Sequence, residues 1–574
     1  MVRVVSATVV FMMVAVAASF GAASAKEHDA EPRAAYTLKP VADGSDVVAL
    51  EVTVQLGGVE GGPDRALMEL PLVSWNVPTV AASLARIEAI DATGPVALVA
   101  RDEGQDATAV RRWYPERPTV GPVMVRYAAR PAVEDAPRGA APPVDLRAEE
   151  GAISGGAAIV LLRAAVPSAH LTLDWDLSAL PVGSAALSSP LPVGTDSASA
   201  HPLEQVYFMA GRLHRYPEDA TGHGFFSAWQ GTPPLDARAL MQWTGALYGH
   251  YEQFFGTSPA PYGVFLRRNP VNAGGGMGMN RSFIVTFGAG AGSDPTELKF
   301  TLAHEMFHTF QPTMKAPEEL SSAWFNEGLA VYYQRVLPLR YGLIDADAFL
   351  KDLNFHAARY YTSALGNVPN SEIPARFWKD TRIRTLPYDR GFLYLVTVDE
   401  AVRRASKGRR SLDDLMLAMK AREDVSSQPL TEQDWSDLLR RELGPKAVED
   451  FERMLQGATP LPGSGAFGPC FRRTSKQLRR YEIGFEPAVL TESPRIVRGL
   501  VPGSAAQAAG VRNGDEILKP VPQDRIQGMQ DEQLHLAVRR GETTLDIVYR
   551  PRGAAVAAWQ WTRVSGQPPT NCSR

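Results

Sequence analysis

Two histidines four residues apart, with a glutamate between them, stand in the stretch Thr301-Leu-Ala-His304-Glu305-Met-Phe-His308. On a helix, a spacing of four turns both imidazoles toward one point, and Glu305 borders that face within reach of a water held there. Eighteen residues then intervene before Glu327, in Trp324-Phe-Asn-Glu327-Gly, which supplies a third, anionic ligand. Two imidazoles and a carboxylate leave one position of a tetrahedral zinc ion open, the pattern of a catalytic rather than a structural site. The expected cofactor is one Zn2+ per chain, held by His304, His308 and Glu327, with Glu305 as general base. The blander alternative is a helix carrying a surface histidine pair.

That alternative is weakened by the elements the sequence builds around the motif. Asp294 can cap a helix, Pro295 suits its first position, and Glu297 follows three residues after the cap, as in a capping box. Leu298, Leu302, Met306 and Phe310 then recur at helical spacing. Ser321-Ser322 can open a second helix that carries Glu327 and packs through Trp324, Leu329 and Tyr332. Upstream, Leu240, Trp243, Leu247, Tyr251 and Phe254 mark one face of a helix over about residues 235–255, and His250 within it reads as structural. A strand at 262–267 precedes the run Gly274-Gly275-Gly276-Met277-Gly278-Met279, and Ser282–Phe287 reads as another strand. Glycines before a strand let another backbone come close, including an extended substrate added along a sheet edge, so Gly275, Gly276, Met277 and Gly278 are candidate substrate contacts. No Lys-Ser/Thr follows, which excludes a phosphate loop. A phenol near the zinc would donate to an oxyanion, but spacing alone does not single out Tyr388, in Pro387-Tyr388-Asp-Arg-Gly391, among its tyrosine neighbours.

The rest of the chain sets the frame. Its 574 residues suggest three or four domains, and a formal charge of −4 gives no sign of a nucleic-acid partner or an anionic membrane surface. Met1-Val-Arg3, an apolar run over 4–18 and Ala23-Ser24-Ala25 read as a signal peptide cleaved after Ala25, making the protein periplasmic or secreted. That run is too short to span a bilayer, and no other segment approaches one. Alternating stretches at 50–56, 123–127 and 171–177 predict strands, with turn-rich segments at 134–156 and 181–200. Helical pattern runs from Glu327 to about residue 456, with helix starts at Ser411 and Thr431. Cys470 and Cys572 are the two cysteines; in an oxidising compartment they can form one disulfide, against the alternative of two buried thiols.

His304-Glu305-x-x-His308 with Glu327 inside Trp-Phe-Asn-Glu-Gly resembles the thermolysin-like metallopeptidases, and the eighteen-residue gap resembles the branch holding aminopeptidase N and the leukotriene hydrolases. In that branch a Pro-Tyr-x-x-Gly segment carries the oxyanion tyrosine; Pro387-Tyr388-Asp-Arg-Gly391 matches it, sixty-one residues after Glu327. The best overall likeness is to the glycyl aminopeptidase family, over roughly residues 200–550. It implies a multidomain α+β chain: signal peptide 1–25, N-terminal β-rich domain 26–200, thermolysin-like catalytic domain 201–338, helical subdomain 339–460 and PDZ-like β domain 461–574. In the last of these, Glu482-Ile483-Gly484-Phe485 resembles a carboxylate-binding loop, and Gly503-Ser504-Ala505-Ala506 with Gly514-Asp515-Glu-Ile517 resembles a PDZ core. Ile483, Gly484 and Phe485 are then the expected groove for a C-terminal peptide; the alternative is a packing module that binds none.

One position departs from the family. Related aminopeptidases place a glutamate before the edge strand that grips the substrate's free amine, and here that position is Gly278. The expected activity is hydrolysis of peptide or protein substrates, aminopeptidase-like but without this anchor, so an endopeptidase is the near alternative. Two further readings come from other classes: a non-catalytic periplasmic PDZ binding or quality-control protein, and a hydrolase of a non-peptide bond.

Overall fold

The computed structural model describes residues 31–566 and residue 572, apart from 76, 85, 106–107, 133–141, 192–201, 258–259, 271–272, 317, 319, 427 and 522. The leader expected over residues 1–25, and much of the two turn-rich segments, lie outside the described residues.

Alternation decides the first third of the chain. In the strand Asp46–Gly57, Leu50, Val52, Val54 and Leu56 are buried while Glu51 and Gln55 face solvent. This strand pairs antiparallel with Arg33–Asp43 and with Val123–Ala129, and Arg33–Asp43 pairs in parallel with His170–Trp175. Among the described residues, this six-stranded sheet and two four-stranded sheets close around one core. The strand Tyr207–Gly211, wholly buried, pairs with Ala152–Gly156, so this β unit runs past residue 200.

A further, five-stranded sheet comprises β1 (His214–Tyr216), β2 (Phe225–Trp229), β3 (Tyr262–Arg268), β4 (Gly276–Met279) and β5 (Ser282–Phe287), in the order β1-β2-β3-β5-β4. β2, β3 and β5 run parallel, and β4 lies antiparallel at the edge. Every residue of β5 is buried because both faces of the sheet are covered. Phe265, Met279 and Ile284 join the N-terminal core, whereas Val264, Leu266, Phe283 and Val285 face the helices. The buried Arg267 ties the two units, donating to Asp145 Oδ1 at 2.7 Å and to its backbone carbonyl at 2.9 Å.

The helices against that second face are α1 (Ala237–Phe255), α2 (Pro295–His308), α3 (Ala323–Arg340), α4 (Ala346–Tyr361) and α5 (Leu386–Ala405). Beyond them lie α6 (Leu412–Val425), α7 (Glu432–Leu443) and α8 (Pro445–Leu455), and both α6 and α7 open with a capping box. Asp294 caps α2, accepting from the Thr296 and Glu297 amides at 2.8 and 3.4 Å. Glu297 does not complete a capping box. Its carboxylate is drawn away by Arg525, since a charged guanidinium outbids a neutral amide. Ser322 precedes α3 but does not cap it; its hydroxyl donates to the Met314 carbonyl at 2.9 Å.

The C-terminal part is two pieces. β6 (Phe471–Tyr481) and β10 (Arg552–Arg563) form a ribbon laid on α4, where Phe349 stacks on Phe471 and Asn354 bonds Trp561 in both directions at 2.8 Å. Cys470 and Cys572 are joined in a disulfide, and with Phe471 and Trp561 they pack into the core shared by the five-stranded sheet and the helices. Between the ribbon strands, β7 (Glu516–Ile517), β8 (Leu534–Arg540) and β9 (Thr543–Tyr549) surround a smaller core of their own. The residues expected to form a peptide groove, Ile483, Gly484 and Phe485, lead into this part of the chain. Ile483 and Phe485 are buried in this core, and Gly484 holds φ +89° where a Cβ would lie 2.6 Å from Ala506. The chain after them becomes a 3-10 helix, Pro487–Thr491, and Ile496 makes one isolated bridge to Glu516. Two prolines, at 487 and 494, withhold the amides that an edge strand would need for a docking peptide.

Candidate active site

α2 and α3 bring the motif together. His304 Nε2 lies 3.0 Å from Glu327 Oε2, His308 Nε2 lies 3.4 Å from the same oxygen, and the two Nε2 atoms are 3.1 Å apart. Ligand atoms about 2.0–2.1 Å from a tetrahedral zinc ion stand roughly 3.3 Å from one another, so the three separations fit one ion. Burial pushes the Glu327 carboxyl up, but the charge of His308 and hydrogen bonds from both imidazoles outweigh it and hold the group far below its ordinary range. Burial lowers His308, and the charges of Glu327 and Glu305 more than reverse this, lifting it to about 9. A half-buried carboxylate held ionised in this way favours a cation beside it.

The imidazoles are oriented from behind. His304 Nδ1 faces Gln334 Oε1 at 3.0 Å, and donating there selects the tautomer in which Nε2 can turn its lone pair to a metal in place of Glu327. The Gln311 carboxamide nitrogen lies 2.8 Å from His308 Nδ1 while its buried oxygen finds no partner. Turning that amide over puts the oxygen on Nδ1–H and frees His308 Nε2 in the same way. Gln334 in turn donates to Asp352, which accepts from Arg335 at 2.6 Å. His356, within 3.5 Å of Gln334, donates through Nδ1 to Asp389 at 2.7 Å, and Asp389 accepts two bonds from Arg359. This buried array runs from the ligand His304 to the residue next to Tyr388. Burial and the charge of Arg335 hold His356 neutral, with its pKa at about 4.

Tyr388 opens α5, and its ring stacks on His304 at 6.0 Å between centroids. Burial, then the charges of Glu327 and Glu305, keep the phenol protonated far above its ordinary value, so it is a donor at neutral pH. Two glycines set this approach. Gly328, next to Glu327, packs on Gly391, three residues after Tyr388: a Cβ on Gly391 would lie 2.1 Å from the Trp324 carbonyl, and one on Gly328 2.7 Å from the Gly391 carbonyl carbon. Only bare backbone lets α3 and α5 cross this closely.

Gly275 and Gly276 line the same cleft and Gly278 faces Glu305, whereas the Met277 side chain packs on the N-terminal core. A Cβ on Gly276 would lie 1.9 Å from the Ile284 carbonyl, whereas one on Gly278 would point into open space, 3.9 Å from Glu305 Oε2. A glutamate at 278 would therefore project toward the Glu305 carboxylate, and glycine leaves that room empty. Ile483, Gly484 and Phe485 take no part in this cleft, and the Cys470–Cys572 bridge is structural.

Gln311, Gln334, Asp352, His356 and the Gly328–Gly391 contact were not singled out from sequence. Two had a local signal: Gln311 follows His308 by three residues and Gln334 follows Glu327 by seven, spacings that share a helical face.

Residues 298–373, from the motif helix through α4, match the model of the M61 glycyl aminopeptidase family. This segment is glycyl aminopeptidase in type, as the resemblance read from the sequence implied. No protein of curated function matches the chain in sequence. Among solved structures, an aminopeptidase N family protein from Idiomarina loihiensis shares the fold: 15% identity, 94% of this chain and 99% of that one covered, TM-score 0.62. A zinc metallopeptidase of the M1 family from Deinococcus radiodurans, bound to a Tyr-Ser-Ala substrate, is 18% identical over 75% of this chain and 95% of its own, with a TM-score of 0.43.

Proposed function

We propose that this chain is an exported zinc peptidase that hydrolyses peptide bonds with Glu305 as general base. The observation that carries the reading is the convergence of His304, His308 and Glu327 on one point, with Glu305 and Tyr388 beside it. A zinc ion held by these three residues supplies Lewis acidity toward water and the scissile carbonyl. Glu305 takes the proton of the attacking water and returns it to the leaving amine. Tyr388, kept protonated, donates to the oxygen that gains charge; losing one such donor typically costs about a hundred- to a thousandfold in rate. The exposed edge of β4 offers backbone groups to an extended substrate, and Gln311 and Gln334 hold the imidazoles in the ligating tautomer.

The empty space at Gly278 favours relaxed end specificity: the cleft lacks the side chain that grips a free amine in related aminopeptidases, so blocked and free ends compete on closer terms. Export rests on the pattern of residues 1–25 and on the disulfide. Among the described residues, no helix is long and apolar enough to cross a membrane. The test is Glu305→Gln, which retains zinc but loses nearly all turnover of a peptide library. Turnover within tenfold of the parent protein overturns the role of Glu305.

A further inference from the structure

The catalytic centre opens into a cavity of about 1020 Å3 that spans two parts of the chain. One side is His304, Glu305, Tyr388 and the Gly275–Gly276 backbone; the other is made by residues of the C-terminal module, among them Asp524, Arg525 and Met529. We propose that residues 523–533 are a fixed wall of the peptide-binding cleft, so that the module completes the substrate site instead of capturing a separate chain end. This rests on the peptidase reading above and narrows it to short or unfolded chains.

The segment is held from both sides. Toward the catalytic unit, Arg525 donates to both oxygens of Glu297, on the helix of the zinc motif, at 2.9 and 3.2 Å. Asp524 accepts from Arg384 at 2.6 Å and from Thr381, just before the helix of Tyr388. Gln527 donates to the Thr381 hydroxyl at 2.9 Å. Gly528 lies so close to Phe355 of α4 that a Cβ would stand 2.6 Å from its ring. From behind, Arg552 of the ribbon donates to the carbonyls of Ile526, Gln527 and Met529. A bidentate ion pair, a buried amide bond and three carbonyl contacts to one guanidinium make a rigid surface, which is what a specificity wall requires.

The space enclosed suits the role. It lies at the top of the roughly 300–1,000 Å3 range of small-ligand pockets, room for a few peptide residues and not for a folded domain. A chain laid along β4 with its scissile bond at Glu305 would meet this wall, whose two apolar members are the buried Ile526 and the half-buried Met529.

Hydrogen exchange on the full-length, zinc-loaded Glu305→Gln protein tests this, with pentaalanine and dialanine as uncleaved probes. Pentaalanine is expected to slow exchange in both 274–287 and 523–533, and dialanine in 274–287 alone. Protection by pentaalanine at 274–287 only overturns the wall and leaves the peptidase reading standing; protection at neither segment removes both. As an independent measure in the active protein, Met529→Trp should raise KM for a pentapeptide about tenfold, with KM for a single-residue anilide unchanged. An equal change for both substrates, or none for either, contradicts the proposal.

Discussion

Replacing Gly391 with alanine tests how the site is assembled without touching any group that takes part in chemistry. The added Cβ would sit 2.1 Å from the Trp324 carbonyl and 3.1 Å from Gly328 Cα, short of the 3.4 Å of ordinary contact by about 1.3 Å at the first. Both neighbours are backbone, so α5 must move as a body relative to α3. Overpacking of this kind costs about 1–3 kcal/mol, which the core behind α5 can absorb without unfolding. The movement carries Tyr388 away from the zinc ligands, all three of which lie on α2 and α3. A misplacement near 1 Å typically costs about a hundredfold in rate, so kcat should fall by about two orders of magnitude while zinc content and KM hold. Steady-state kinetics on a peptide substrate, metal analysis and a thermal melt read all three quantities. The decisive comparison is a double-mutant cycle. If Gly391 acts through the tyrosine, Gly391→Ala with Tyr388→Phe should be no slower than Tyr388→Phe alone. A folded Gly391→Ala protein with kcat within twofold of the parent, or an additive double mutant, refutes the reasoning.

Two other outcomes are expected. Gly278→Glu fills the open space facing Glu305, so turnover of free-amine peptides should rise relative to acetylated ones; an unchanged ratio in peptide assays counts against the reading of that position. His356, buried and neutral, has its pKa lowered to about 4 from an ordinary 6.5. The unfolded chain therefore binds a proton that the folded chain does not. Its stabilising contribution is complete above about pH 6.5 and is lost as pH falls through 4, to the extent of about 3 kcal/mol. Urea unfolding at pH 7 and pH 4.5 should show most of that loss in the parent protein and less of it in His356→Gln; equal losses in both would reject the assignment.

The convergence of His304, His308 and Glu327 was legible because its geometry is local. His304 and His308 share a helix, and the packing stripe Leu298, Leu302, Met306 and Phe310, all buried, fixes which face turns inward. Tyr388 was singled out by family resemblance and not by its spacing; its approach to His304 depends on two glycines that meet across different helices. Arg525 and Glu297 are 228 residues apart, so nothing near either one announces the pair, and the acid three residues after Asp294 reads locally as a cap. The C-terminal module is a different case. Its Gly-Ser-Ala-Ala turn and Gly-Asp-x-Ile strand are genuine features of a small β core, but what the module does depends on which surface it turns to the helices. The segment 523–533 faces the catalytic cleft through contacts to Glu297, Thr381, Arg384 and Phe355, none of which its own sequence specifies. The strand pattern of the N-terminal unit was read at 50–56, 123–127 and 171–177 because one face of each strand is buried, or half-buried in His170–Trp175, and the period of two survives in the sequence.

The most direct measurement is X-ray absorption at the zinc edge, with metal analysis, on the purified full-length protein and on Glu327→Ala. The account predicts close to one zinc per chain in the parent, with two imidazole nitrogens and oxygen ligands at about 2.0–2.1 Å and no sulfur. It predicts an affinity in Glu327→Ala weakened by orders of magnitude. A parent protein that takes up no zinc, or an identical spectrum and occupancy in Glu327→Ala, would contradict it.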